Sequence, residues 1–335
     1  MHSTQKPFEN IPINIQNALI SDSFAKYNQS LQTEYLYRTS VGTYFIEPTS
    51  GFVFQKLRSL RKSLPYDYDS KIAFAKNLLW LTGLKKKNWI KRNTVISLRD
   101  VYENSYFHFY NDILTKLPLI NTYCGANNYP IVISESLSKK RFFGEVYDRN
   151  VFNDREVIVQ DKNTFVSATE VIFGKPLPHC KHYLDYILDK LGVQKDPEGT
   201  RRTFVVRNRQ TEHGRTLINL DEIKRLCEKY DFEMVDPGGM SLERQIETYS
   251  QSLYVVGIHG GGMANIIFRR NSKMKVLEIF PPDNIPPHYY WLSHLYGYDY
   301  DAIVGIKDKS LEIREPFYLE PNLLEKKLVE LDRRF

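Results

Sequence analysis

The chain has 335 residues, which is long enough for two domains of ordinary size, each with its own hydrophobic core. Hydrophobic residues make up 42% of the chain and charged residues 26%, values that are ordinary for a soluble globular protein and do not fit a disordered one. The formal net charge is +6, but the basic residues are scattered, so we expect no nucleic-acid partner.

The cysteines and the N-terminal residues indicate a reducing compartment. Cys124, Cys180 and Cys227 lie far apart and form no Cys-x-x-Cys motif, so neither a zinc site nor a disulfide framework is expected. Residues 1–20 lack the pattern of a signal peptide, and no apolar run approaches the length of a membrane span. We therefore expect a cytoplasmic protein, and a peripheral position at the inner face of the membrane is compatible with this expectation.

The first half of the chain mixes helical and extended patterns. Residues 1–50 show no clear periodicity, whereas helices are predicted at 51–64, 71–81 and 104–120. Short apolar runs predict strands at 94–98, 130–133 and 156–159. This half is therefore predicted to be α/β, with a helix-rich beginning.

The second half shows a clearer alternation of strands and helices. The pattern of strands and helices becomes weak at 160–182, where Gly-Lys-Pro-Leu-Pro at 174–178 indicates a domain boundary. The predicted strands are 203–206, 232–235, 253–258 and 276–280, and the predicted helices are 220–230, capped by Asn219, one capped by Ser241, and 322–335. Such alternation predicts a parallel sheet with right-handed crossovers.

One stretch of this half has the pattern of an anion site. The apolar strand 253–258 is followed by His259 and three glycines, Gly260, Gly261 and Gly262, and then by residues with helical spacing. Glycines let a phosphate approach the main chain, and the N-terminus of the following helix presents free N–H groups and a favourable dipole. The stretch therefore predicts a phosphate-binding turn, and the alternative is a merely tight connection.

An acidic residue in the next predicted strand extends this pattern. Glu278 lies eighteen residues past Gly260, near the distance at which nucleotide-binding folds place a carboxylate on a ribose hydroxyl. A carboxylate inside an apolar strand is costly unless it is paired or hydrogen-bonded. Glu278 is therefore predicted to hold a ribose hydroxyl or an equivalent donor hydroxyl.

Four blocks resemble the signature of glycosyltransferase family 61 and occur in the family's order. The first block is 104–118 with His108 and Asp112, and the second contains Arg207, Arg215 and Asn219. The third contains Leu242 and Gln245, and the fourth is the turn 259–268 followed by 276–281. The chain departs from the usual pattern at two positions, because Gly261 replaces an alanine and Phe109 replaces a tryptophan. Four blocks in order make the resemblance specific.

The resemblance implies a GT-B fold of two Rossmann-like α/β domains facing across a cleft, and inverting transfer from a nucleotide sugar. The expected parts are an acceptor-binding domain at 1–165, a nucleotide-sugar-binding domain at 175–315, and a helix at 316–335, with packing on the first domain as one alternative for that helix. The acceptor would be a glycan or glycolipid, in capsule, exopolysaccharide or lipopolysaccharide synthesis of bacterial type. Peripheral contact with the membrane or with polysaccharide assembly proteins is compatible with this assignment.

The resemblance also assigns roles to residues. Donor binding is expected from Arg207, Arg215, His259, Gly260, Gly261, Gly262, Asn265 and Glu278. His108 is the expected catalytic base, with Asp112 one helical turn later orienting its imidazole, and the alternative is that Asp112 itself is the base. No metal or other cofactor is expected, because the two Asp-x-Asp triplets, at 67–69 and 299–301, are attributed to chance.

The sequence also allows a purely structural interpretation of several of these residues, and two other functions. His108 and His259 could be satisfied structural histidines, Arg207 could belong to a solvated basic loop, and Asn265 could act only within its helix. One rival function is a nicotinamide-dependent oxidoreductase, although no Gly-x-Gly-x-x-Gly opens the domain. Another is a non-catalytic glycan- or nucleotide-binding module on the same fold.

Overall fold

The computed structural model describes residues 2–6, 17–28, 32–64, 88–125, 127–177, 179–207, 216–307 and 316–333. The predicted helix 71–81, the first Asp-x-Asp triplet at 67–69 and Arg215 lie outside these residues. The chain divides into two compact units, which are Met1–Lys6 with Leu31–Leu191, and Pro7–Ser30 with Gly192–Phe335. Among the described residues, each unit contains one sheet.

In the described residues the strands are β1 (His2–Lys6), β2 (Gln32–Arg38), β3 (Tyr44–Ile46), β4 (Val53–Gln55), β5 (Arg58–Ser59), β6 (Asn88–Ser97), β7 (Ile131–Ser134), β8 (Val157–Gln160), β9 (Thr164–Lys175), β10 (Arg201–Val205), β11 (Glu233–Val235), β12 (Ser252–Ile258), β13 (Lys275–Phe280) and β14 (Asp299–Val304).

The α-helices of the same residues are α1 (Ala18–Asn28), α2 (Tyr106–His108), α3 (Lys116–Cys124), α4 (Glu135–Ser138), α5 (Arg141–Asp148), α6 (Lys181–Lys190), α7 (Leu220–Lys229), α8 (Leu242–Ser250), α9 (His288–Tyr296) and α10 (Pro321–Arg333). A π-helix, Phe109–Leu114, joins α2 to the residue before α3. The 3-10 helices are Arg61–Ser63, Pro237–Gly239 and Gly261–Arg269.

The sheet of the first unit combines parallel and antiparallel strands. Its order is β5-β4-β3-β9-β6-β7-β8, and β2 also pairs with β9 and carries β1. Strands β9, β6, β7 and β8 are mutually parallel, and the other pairs are antiparallel. The carboxyl ends of β6 and β9 lie side by side, with Ser97 opposite Phe173. The helical segment α2 to α3 therefore begins shortly beyond that edge.

The sheet of the second unit is entirely parallel, in the order β11-β10-β12-β13-β14. One core cluster packs α7 and α10 against this sheet through Ile223, Leu324 and Leu328, which are at most 2% exposed. On another part of the unit, Phe24 of α1 contacts the rings of Phe280 and Tyr290. The C-terminal helix thus packs within the second unit.

Predicted strands and helices of the second unit agree with the structure within a few residues, and the mixed α/β class is confirmed. The sequence alone missed α9 and β14. Ser241 caps α8 by accepting from Arg244 N at 3.3 Å, as predicted. Asn219 makes no such cap, because its amide instead bonds the main chain of Leu319.

The predicted helix at 51–64 is wrong, because these residues form β4, β5 and a 3-10 turn. Val53 packs in one core cluster, while Phe52 and Phe54 pack with Phe165 in another. A strand buried on both faces has a continuous apolar run, so its periodicity does not distinguish it from a helix.

The weak sequence pattern at 160–182 does not mark a lack of regular structure, since Thr164–Lys175 is the longest strand of the first sheet. Its polar residues obscured it, although one of them is bonded to neighbouring strands of the sheet. Glu170 accepts hydrogen bonds from Arg38 and Thr94. The transition between the compact units falls at Leu191–Gly192, after β9 and α6, whereas the sequence placed a domain boundary within 160–182.

Within the described ranges, no helix is both long enough and apolar enough to cross a membrane.

The packing of α10 gives a stability prediction. Leu328→Ala removes buried methyl groups from the second core and should lower the free energy of unfolding by about 2–5 kcal/mol. Lys326→Ala, on the exposed face of the same helix, should change it by less than about 0.5 kcal/mol. Urea denaturation followed by circular dichroism measures both. Equal, small effects would show that α10 does not belong to this core.

Candidate active site

The strand order of the second sheet locates a crevice. The first two strands of this sheet in chain order, β10 and β11, lie on one side, and β12, β13 and β14 follow on the other. The order therefore reverses between β10 and β12, and open parallel sheets bind ligands outside the carboxyl ends of the strands at such a point. The residues that follow these two strands are Val206 and Arg207 after β10, and His259 and Gly260 after β12.

Gly260 and Arg207 lie against each other at this point. A Cβ atom added to Gly260 would lie 3.0 Å from Cζ, 3.1 Å from Nε and 3.2 Å from Nη2 of Arg207. The hydroxyl of Tyr289, from α9, donates to the carbonyl oxygen of Gly260 at 2.5 Å and so fixes the turn. Glycine at 260 therefore lets a guanidinium group lie directly on the main chain.

The other glycines of the turn differ in their surroundings. A Cβ on Gly262 would meet Val205 Cγ1 at 3.0 Å and Pro237 Cγ at 3.2 Å. This glycine thus allows close packing of the 3-10 helix Gly261–Arg269 on β10. Gly261 is partly exposed at the first position of that helix, where main-chain N–H groups have no partner within the helix.

Arg207 is a partly buried cation. Its Nη1 atom is buried, and among the described residues no atom accepts a hydrogen bond from it. Burial lowers the pKa of the guanidinium, while nearby Tyr289 and Asp236 act in the opposite direction. An unpaired buried donor is costly, more so when it is charged. An anion bound at the turn would supply the missing acceptor.

His259 begins a chain of polar side chains that leads into the sheet. Its Nδ1 atom lies 2.5 Å from Oε1 of Glu278, and the other carboxylate oxygen accepts from the hydroxyl of Tyr300 at 2.5 Å. The imidazole is 4% exposed and stacks on the ring of Phe280, with centroids 5.3 Å apart. Its orientation is thus set by a carboxylate on one edge and an aromatic ring on one face.

The surroundings of Glu278 differ from the predicted ribose contact. The residue is 0% exposed, and its two carboxylate oxygens are bonded to His259 and Tyr300. Burial raises the pKa of this carboxyl well above its usual range, and the hydrogen bond from Tyr300 acts against that rise. A ribose hydroxyl cannot reach a carboxylate that has no exposed surface, so Glu278 would act on a ligand through His259.

Asn265 faces the neighbouring helix in the structure. It is 0% exposed, and its amide donates to Oε1 of Gln245 in α8 at 2.9 Å. Gln245 in turn donates to the carbonyl oxygens of Pro237 and Met240. The predicted donor residue Asn265 therefore connects the 3-10 helix to α8 and to the loop after β11.

In the first unit, the predicted pairing of His108 with Asp112 is present. Nδ1 of His108 lies 2.6 Å from Oδ2 of Asp112, and the two side chains are 29% and 32% exposed. The other carboxylate oxygen accepts from the amide of Asn111, whose own oxygen accepts from His179 N. Tyr102 stacks on the imidazole at 5.0 Å. This arrangement leaves the dyad accessible while fixing its geometry.

His108 and Asp112 lie four residues apart in one helical segment, and this spacing brings their side chains together. Asp112 lies in the π-helix, a rare conformation that is frequent at functional sites. Phe109, in place of the tryptophan usual in the resembling family, is 0% exposed and packs on Phe142 and Phe143. Its ring therefore belongs to the core of the first unit.

Two tyrosines of the second unit were not found from the sequence. Tyr289 lies in α9, which was not predicted. Tyr300 stands in the second Asp-x-Asp triplet, and alternation along β14 was the signal that places it on the face opposite to its two neighbours. Asp301 accepts from Lys327 of α10 at 2.9 Å, which gives this aspartate a structural partner.

In the described part of the chain, no group of three or more His, Cys, Asp or Glu side chains is arranged to hold a metal ion.

The bond between Asn265 and Gln245 gives the next prediction. Asn265→Ala leaves the buried Oε1 of Gln245 without this donor, so the free energy of unfolding should fall by about 1–3 kcal/mol. Gln245→Ala and the double variant complete a cycle, in which we expect a coupling energy of about 0.5–3 kcal/mol. A variant at 265 that keeps its stability but loses nucleotide affinity would instead place Asn265 on the ligand.

Comparison with known proteins adds one finding. Residues 106–277, just over half of the chain, match the model of a family described as Glycosyltransferase 61. A search of curated proteins found no match. The matched range contains the His108–Asp112 pair, Arg207 and the glycine turn, and it ends one residue before Glu278. The chain belongs to glycosyltransferase family 61.

Proposed function

We propose that this glycosyltransferase moves a sugar, with inversion, from a nucleotide-sugar donor to a glycan or glycolipid acceptor. The observation that carries the proposal is the partly buried guanidinium of Arg207, which lies against Gly260 at the point where the strand order reverses. A diphosphate is the part of a nucleotide sugar that would satisfy both the charge and the unpaired N–H group. Arginine suits this task because its planar fork can bind two phosphate oxygens.

The donor half of the proposal assigns the second unit. The diphosphate would bind at the first N–H groups of the 3-10 helix Gly261–Arg269 and at Arg207, where the helix N-terminus favours negative charge. His259 would add to the positive field of the turn. Arg215 is retained as a predicted donor residue, although it lies outside the described residues.

The acceptor half of the proposal assigns the first unit and a base. Nδ1 of His108 is engaged by Asp112, so the acceptor hydroxyl would give its proton to Nε2. The acceptor oxygen then forms a bond to the anomeric carbon as the bond from that carbon to the diphosphate breaks. The leaving diphosphate takes the electron pair, and Arg207 offsets its charge.

The finer parts of the assignment rest on the resemblance. They are the GT-B arrangement, the cytoplasmic location, independence from metal ions, and a place in bacterial capsule, exopolysaccharide or lipopolysaccharide synthesis. Family membership favours transfer over the oxidoreductase alternative. A binding module on the same fold would bind nucleotide without turnover, and this difference separates it from an enzyme.

A thermal-shift panel of nucleoside diphosphates and nucleotide sugars tests the class of donor. Ligands that bind the folded state raise the melting temperature, and a selective increase with one nucleoside diphosphate and its sugar would support the proposal. Absence of any increase at millimolar concentrations would contradict donor binding.

Gly260→Val tests the location of the phosphates. The added side chain would lie against the guanidinium of Arg207 and fill the phosphate's approach, so calorimetric titration should detect no nucleotide binding. Gly144→Val adds the same group in α5, where an added Cβ meets no atom within 4 Å, and should leave affinity unchanged. Circular dichroism checks that both variants fold. Unchanged affinity in the Gly260 variant would refute this location.

His108→Ala tests the assignment of the base. Turnover should fall by roughly a hundred-fold to ten-thousand-fold, the usual range for loss of a general base, with nucleotide affinity intact. Independence from metal ions is a separate expectation, and turnover of the parent protein should therefore survive EDTA. A fall of less than about tenfold, together with complete loss in Asp112→Asn, would reverse the two roles.

A further inference from the structure

A chain of three polar side chains crosses two strands of the second sheet and ends beside the glycine turn. It runs from the Tyr300 hydroxyl through both carboxylate oxygens of Glu278 to Nδ1 of His259. The strand register explains the alignment, because Glu278 lies opposite Gly257 on β12 and Ala302 on β14. His259 and Tyr300 are two residues from these positions and so lie on the same face, diagonal to Glu278.

Packing alone does not account for this chain. A buried carboxylate carries a desolvation penalty that an apolar side chain of similar volume would avoid. Hydrogen bonds from Tyr300 and His259 offset part of that penalty, since charge-assisted bonds are the strongest of their kind. The end of the chain at His259 adjoins Gly260, which carries Arg207 on its surface. The arrangement thus connects an interior hydroxyl to the anion-binding turn.

We propose that Tyr300 is a positioning residue that, through Glu278, holds His259 in one orientation and maintains its positive charge beside the donor diphosphate. This inference rests on the proposed function, since it names how that site is kept positive. His259 is 4% exposed, so it would act on the diphosphate chiefly through its charge.

The direction of the effect follows from the groups around His259. Burial raises the pKa of Glu278 well above its usual range, and the hydrogen bond from the Tyr300 hydroxyl acts against that rise. Glu278 lies 2.5 Å from His259 and favours the imidazolium only while it is ionised, so the Tyr300 hydroxyl supports the charged form of His259. The rings of Tyr289 and His288 from α9 lie at 5.2 and 6.5 Å, and Arg207 lies on the adjacent Gly260. Arg207 opposes the imidazolium, as does His288 when it is protonated, whereas an ionised Glu278 favours it.

Tyr300→Phe removes the hydroxyl and should therefore make His259 lose its proton at lower pH. The measurement is a pH titration of the histidine resonances by NMR, with His259→Gln identifying the resonance of interest. We expect the titration midpoint of His259 to fall by about one pH unit, a shift of the size that one hydrogen bond to a buried carboxylate produces. Nucleoside diphosphate affinity should decline with rising pH, and this decline should move to lower pH by the same amount.

Tyr298→Phe is the matched control, because its hydroxyl donates to the carbonyl oxygens of Ile266 and Arg270 and takes no part in the chain. It should lower stability but leave the midpoint of His259 in place. An unchanged midpoint in Tyr300→Phe, or an equal shift in both variants, would overturn the positioning role. The NMR result is independent of ligand, so a shifted midpoint without any nucleotide binding would contradict the proposed function alone.

Discussion

The parallel pairing of β10 with β12 brings the cation of Arg207 against the glycine turn, and the proposed donor site depends on this contact. The strand order reverses at that pair, and the two chain segments that leave its carboxyl edge carry Arg207 and Gly260. A Cβ atom at 260 would lie 3.0–3.2 Å from atoms of the guanidinium, so a side chain there would force Arg207 to shift. The position of the cation, the turn beneath it and the helix after it therefore depend on one another.

Burial of charge is the cost of this arrangement. Arg207 has a buried donor without an acceptor among the described residues, and Glu278 is a carboxylate with no exposed surface. Each is unfavourable in isolation. Tyr300 and His259 satisfy the carboxylate, whereas the guanidinium would be satisfied by an anionic ligand. Among its described residues, the second unit thus leaves one buried N–H group of a cation without an acceptor at the point where the strand order reverses.

The sequence was informative where a local pattern and the tertiary structure agree. The strand that ends before His259 and the pairing of His108 with Asp112 at helical spacing both follow from short-range periodicity. The strand at Val53 and the long strand β9 did not, because burial on two faces and internal polar pairing removed the usual alternation. Roles set by long-range contacts could not be predicted from spacing.

Glu278 shows this limit most clearly. Its spacing from Gly260 suggested a ribose contact, but the register of β13 with β14 brings it to Tyr300, a residue that no local pattern connects to it. Asn265 likewise contacts Gln245, twenty residues earlier, rather than the turn. The sequence therefore selected candidate residues from their spacing, while the partners of Glu278 and Asn265 became visible only in the fold.

A crystal structure with a bound nucleoside diphosphate tests the central claim most directly. The account predicts that the diphosphate lies beside Gly260, with oxygens accepting hydrogen bonds from Nη1 of Arg207 and from the first N–H groups of the following 3-10 helix. A nucleotide bound away from the carboxyl ends of β10 and β12, with Arg207 still lacking an acceptor, would contradict it.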